Sequence, residues 1–141
     1  MAILTGPTAR FKRNMGGVMY AKFPMAASIT IYEGALVVLN TSGNATNAVD
    51  TASHIFVGIC TNTVTNGVTA GAVLVEVEYG HEELLTSSAT LASVTGAPAV
   101  VTDNDSVTTV ALGTNDIKVG VVTEFVSATR AWVGIRVAQT V

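Results

Sequence analysis

The chain reads as an all-β protein, a small antiparallel barrel or sandwich, on three observations. Apolar and polar residues alternate over short stretches, clusters of turn-forming residues separate those stretches at close intervals, and only one segment has room for a helix. Strands and helices do not alternate in the way that builds a parallel sheet.

The clearest strand is AVLVEVEYG, residues 72 to 80. Val73, Val75, Val77 and Tyr79 share one face, and Glu76 and Glu78 stand on the other, which predicts a half-buried strand with its two carboxylates in solvent. IKVGVVTEFVS (117 to 127) places Ile117, Val119, Val121 and Phe125 on one face, and AWVGIRVA (131 to 138) does the same with Val133, Ile135 and Val137. Shorter strands are expected at 17 to 23, 28 to 34, 35 to 40, 54 to 61, 98 to 102 and 106 to 112. Between them lie the turn clusters TSGN, TNG, VTAG, TGAP, TDNDS and LGTND. HEELLTSSATLA (81 to 92) is the one segment in which a short helix is expected.

Gly58, Gly120 and Gly134 each interrupt an apolar strand. Glycine weakens a strand interior and marks a bulge, a bend or a close backbone approach, so three such points predict a small, sharply curved sheet.

At 141 residues the chain is long enough for one domain with a real core. Charged residues make up 12% and apolar ones 49%, so the surface takes its polarity from Thr, Ser, Asn and Gly and suits subunits that pack against copies of themselves. Cys60 is the only cysteine, which excludes an intrachain disulfide and a CxxC metal or redox pair. No apolar run approaches the roughly 20 residues that cross a bilayer, and the start lacks a signal-peptide h-region, so synthesis in a cytoplasm and no membrane partner are expected.

The charge is unevenly placed. Arg10, Lys12, Arg13 and Lys22 precede the first acid, Glu33, so the opening segment carries +4 in side chains and the remainder −7. Residues 1 to 22 are therefore expected to form a basic arm on a β-domain spanning 23 to 141. Phe11 stands among the cations and supplies an apolar anchor. With the cations confined to one short segment of an acidic chain, nucleic acid is not an expected partner.

A search for chemistry assigns no catalytic residue, metal or cofactor. Glu76 and Glu78 are explained by a solvent-facing strand side, and His81, Glu82 and Glu83 are ligand types whose adjacency in sequence argues against convergence on one ion. His54 has no companion acid nearby. Asp103-Asn104-Asp105-Ser106 starts like a calcium loop, but lacks the later glycine and glutamate and reads as a β-turn. Cys60 reads as a small buried hydrophobe. The triplets at Asn40, Asn44 and Asn104 are chance glycosylation matches.

The succession GALVVLNTSGN, HIFVGICTNTV, VTAGAVLVEVEYG, TGAPAVVTDNDSVTT, NDIKVGVVTEFVS and AWVGIRVA resembles the small capsid decoration, or cement, proteins of tailed double-stranded DNA bacteriophages, over roughly residues 27 to 138. The resemblance implies a compact β-barrel or β-tulip domain, often a trimer. It implies a structural protein of the virion that binds the outside of the expanded major capsid lattice and stabilises the head, without enzymatic activity. By inference from the arm, Arg10, Phe11, Lys12 and Arg13 are the expected capsid-binding residues, with residues 8 to 15 mobile until bound and the β-domain folding without residues 1 to 15. The alternatives are another phage structural protein, such as a tail tube or head fibre component, and a ligand-binding β-sandwich, for which Trp132 is the lone tryptophan platform.

Overall fold

A computed structural model describes residues 3 to 136 and is nearly all β. Five strands close into a barrel: β9 (Glu82–Ser87), β11 (Ser106–Thr108), β10 (Pro98–Val101), β12 (Lys118–Ser127) and β13 (Arg130–Ile135), which returns to pair with β9. Closure removes the free edges that an open sheet would present. All pairings in the barrel are antiparallel except β9 with β11, which is parallel.

A second five-stranded sheet has the order β2 (Met19–Pro24), β8 (Leu74–Tyr79), β6 (Ile55–Cys60), β4 (Leu36–Leu39) and β5 (Ala45–Asn47). A bridge between Met25 and Ala45 draws its two outer strands together. β3 (Thr30–Ile31) and β7 (Val64–Thr65) form a short separate pair, and β1 (Lys12–Arg13) adds to the edge of β9. The expected division between residues 22 and 23 runs through β2.

The inner strands β4 and β6 of the second sheet are buried on both faces. Leu36, Val38, Phe56 and Ile59 pack with the barrel residues Leu85, Val101, Val107, Val119, Val133 and Ile135. Val37, Val57, Cys60, Val75 and Val77 pack on the opposite side with Met25 and Ile31. In β4 this is plain strand alternation. β6 instead carries Phe56 and Ile59 to one side and Val57 and Cys60 to the other, a spacing of three that requires an extra residue. The register supplies it: Val37 faces Gly58 and Val38 faces Phe56, leaving Val57 bulged. Gly58 takes φ +141°, and a Cβ there would meet Glu78 O at 2.8 Å, so glycine is needed both for the bulge and for the approach of β8.

Gly120 has the same role in the barrel. A Cβ at this position would lie 1.7 Å from Gly134 O, so β12 and β13 approach closely only because glycine is there. Register shifts in β12 also break the expected face. Ile117, Val119 and Val122 are buried, whereas Val121 is half-buried and Phe125 is exposed. The expected Val137 position lies outside the described residues.

The segment expected to be helical is divided. Residues 82 to 87 are β9, and only Ala89–Ala92 form a helix, α1, with Ser88 Oγ accepting from Leu91 N at 3.3 Å. Pairing on both edges of β9, with β13 on one side and β1 and β11 on the other, overrides its weak local helical pattern.

Candidate functional site

The N-terminal segment lies on the body of the protein. Thr8 N donates to Glu33 O at 2.9 Å, Leu84 N donates to Phe11 O at 3.0 Å, and Lys12 and Arg13 pair in register with Glu83 and Glu82. The expectation that residues 8 to 15 wait unstructured for a partner is corrected here. The acids of the chain's own body are what the basic arm meets.

Arg10, Lys12 and Arg13 each have a partner. Arg10 Nε donates to Gly34 O at 2.6 Å and Nη2 reaches Asp105 Oδ1 at 2.9 Å, with the Arg10 side chain only 4% exposed. Lys12 Nζ forms an ion pair with Glu78 Oε1. Arg13 reaches Glu82 Oε1 at 2.9 Å and Glu124 Oε1 at 2.5 Å, and its guanidinium lies 4.2 Å from the centroid of the Trp132 ring. Trp132, considered as a stacking platform for a ligand, is therefore partnered by the chain's own arginine. Phe11 is different: it is 68% exposed.

Beneath the arm sits a buried group that the sequence reading did not assemble. Glu78 lies one residue before the end of β8, Gly80 turns the chain at φ +84°, and Glu83 lies near the start of β9, so Glu78, His81 and Glu83 converge. His81 Nε2 is 2.8 Å from Glu83 Oε2 and 3.8 Å from Glu78 Oε1. All three residues are buried, and Glu83 is fully so. The expectation that Glu78 faces solvent with Glu76 is thus overturned. Glu76 remains half-buried and accepts from Thr61 Oγ1 at 2.9 Å, while Glu78, two residues on, is covered by Lys12. The adjacency of His81, Glu82 and Glu83 also misled. Strand alternation sends Glu82 outward to Arg13, Asn14 and Thr123 and turns Glu83 inward, and Glu78 supplies the missing third member from β8.

Electrostatics follow this arrangement. Burial pulls the His81 pKa down, but the hydrogen bond with Glu83 and the charges of Glu83 and Glu78 outweigh it, and the net direction is up. Lys12 is likewise held above its ordinary value: burial opposes, and Glu78 prevails. Burial pushes the Glu82 carboxyl up, and hydrogen bonds from Thr123, Asn14 and Arg13 bring it below the usual value.

Other candidates stay apart from this group. Cys60 is buried, with its thiol pushed up to about 11 chiefly by burial, which suits the inert hydrophobe expected. Asp103 Oδ1 accepts from Asp105 N and Ser106 Oγ, both at 2.8 Å, and so caps a turn in the expected place. His54 lines a separate cleft with Phe56, Ile117 and Lys118. A cleft of about 530 Å³ reaches His81 and Glu82 from the side of Met19 and Arg136, and a small pocket of about 80 Å³ reaches Glu83 beneath Arg10 and Lys12.

No protein-family model matches the chain, and a search of curated proteins returns no match.

Proposed function

We propose that the chain is a decoration protein of a tailed-phage head, binding the outer surface of the major capsid lattice as a homotrimer and acting without catalysis. The reading rests on the resemblance of residues 27 to 138 and draws support from the all-β body. The observation that carries it is the surface of the segment from Phe11 to Tyr20. Phe11, Met19 and Tyr20 are each more than half exposed, while Arg10, Lys12 and Arg13 are engaged with the chain's own carboxylates. Exposed apolar side chains of this size suit an interaction surface. The division of roles within the arm follows: Phe11 is the capsid contact, and the three cations fix the segment that presents it. Repetition over a lattice multiplies a modest contact into firm attachment.

Co-sedimentation with undecorated, expanded capsids tests the reading. Binding should saturate, persist at high salt and weaken in Phe11→Ser. Failure of the wild-type chain to sediment with any such capsid would reject it.

A further inference from the structure

We propose that Glu78, His81 and Glu83 form a binding site for a divalent first-row metal ion of the Zn²⁺ or Mn²⁺ class, which ties the barrel to the second sheet beneath the arm. The proposal does not depend on capsid binding.

Geometry is the first support. One donor atom from each residue lies within 4.8 Å of the other two, and the His81 Nε2 distances to Glu83 and Glu78 are 2.8 and 3.8 Å. An ion bonded at about 2.0–2.2 Å to each donor sets donor separations of about 3–3.5 Å, which these two distances bracket. Small movements of side chains already in place would satisfy it.

Burial is the second. The Glu83 side chain is fully buried, and its Oε1 has no hydrogen-bond partner among the described residues. Glu78 Oε1 is buried beside it and is held by Lys12 as an ion pair. Buried carboxylate oxygens are ordinarily satisfied, and exceptions point to a polar guest such as an ion or a water. Two carboxylates and one imidazole are a donor set that zinc and manganese both accept.

A route in exists from two sides. His81 borders the larger cleft, and Glu83 borders the small pocket under Arg10 and Lys12. Lys12 is the natural competitor. Its side chain is 34% exposed, so its ammonium can turn to solvent when an ion takes over the charge on Glu78. Glu78 and Glu83 belong to β8 and β9, in different sheets, so the ion would add a link between them beside the turn at Gly80.

The test is calorimetric titration of the chelator-treated full chain with Zn²⁺, beside Lys12→Met and Glu83→Gln, with Co²⁺ absorption as a spectroscopic reporter. The expected result is one ion per chain. Binding should tighten in Lys12→Met, weaken at least about tenfold in Glu83→Gln, and give Co²⁺ bands that the Glu83 variant loses. Should Glu83→Gln fold poorly, the wild-type stoichiometry and the Lys12→Met comparison decide. No saturable binding by the wild-type chain, binding weakened by Lys12→Met, or equal binding by a folded Glu83→Gln would overturn the proposal. The first of these outcomes assigns the buried oxygens to water.

Discussion

Arg10 and Lys12 at the inner seam and Arg13 at the outer one are cations of the same arm meeting carboxylates of the same body, yet their surroundings differ. Arg10 is 4% exposed, and the Glu78 side chain that receives Lys12 is also 4% exposed. Arg13 is 34% exposed, as Lys12 is, but one of its partners, Glu124, is 58% exposed. At the inner seam, losing the cation leaves a negative charge or a polar group where water reaches poorly. At the outer seam water replaces the cation at little cost. Number of ion pairs is therefore a poor guide to what holds the arm, and depth is a good one.

Lys12→Met should have the largest effect. Breaking a buried pair by removing one partner costs about 3–5 kcal/mol, and the partial exposure of Lys12 places this case near about 3 kcal/mol. For a chain of this size that corresponds to a fall in melting temperature of about 9 °C. Thermal melting in chelator-containing buffer checks it, and an unchanged midpoint would show that Glu78 is not held by Lys12. Arg10→Met should follow at about 2 kcal/mol, through loss of hydrogen bonds made by a charged donor. Equal losses at Arg10 and Arg13 would break the contrast between the seams.

Arg13→Met should cost about 0.5 kcal/mol, and the difference from wild type should shrink as salt rises, because this pair is screened. A salt-independent loss would instead assign the effect to packing on Trp132. Asp50 offers a further carboxylate for comparison, half-buried and with backbone donors in place of a cation. It accepts from Thr114 N at 2.8 Å and Asn115 N at 2.9 Å; slight burial pushes its pKa up, and these hydrogen bonds bring it below the ordinary 3.8. A depressed carboxyl stabilises the fold above its unfolded pKa and loses that contribution as pH falls through the folded one. Asp50→Asn should therefore lower the melting point slightly at pH 7, with the difference from wild type vanishing as the pH falls well below the ordinary 3.8. A difference that persists in acid would contradict this cause.

Much of the body is legible in the sequence because period-two alternation marks β8 and β13 directly, and the strand glycines mark where sheets bend or approach. β9 is not legible in that way: its residues alternate poorly, and long-range pairing decides its state. The site is less legible still. Glu78 has the same alternation as Glu76, and nothing local tells that Lys12, far away in sequence, will cover one and leave the other. Local reading also takes TARFKRNM for a strap that is mobile until it binds a capsid, since its fixed structure comes from partners such as Asp105, Glu78 and Glu124, which no spacing within the segment reveals. The composition did hold one signal: the cations at the start and the excess acids later on are the two halves of one seam.

Thermal melting of the chain lacking residues 1 to 14, beside the intact protein, tests most directly whether the arm belongs to the fold. If the arm covers the carboxylates of Glu78 and Glu83 as described, the truncated protein should melt lower by at least about 9 °C, matching or exceeding the effect of Lys12→Met. A truncated protein that melts with the intact one would contradict this and return the segment to the status of a solvated tail.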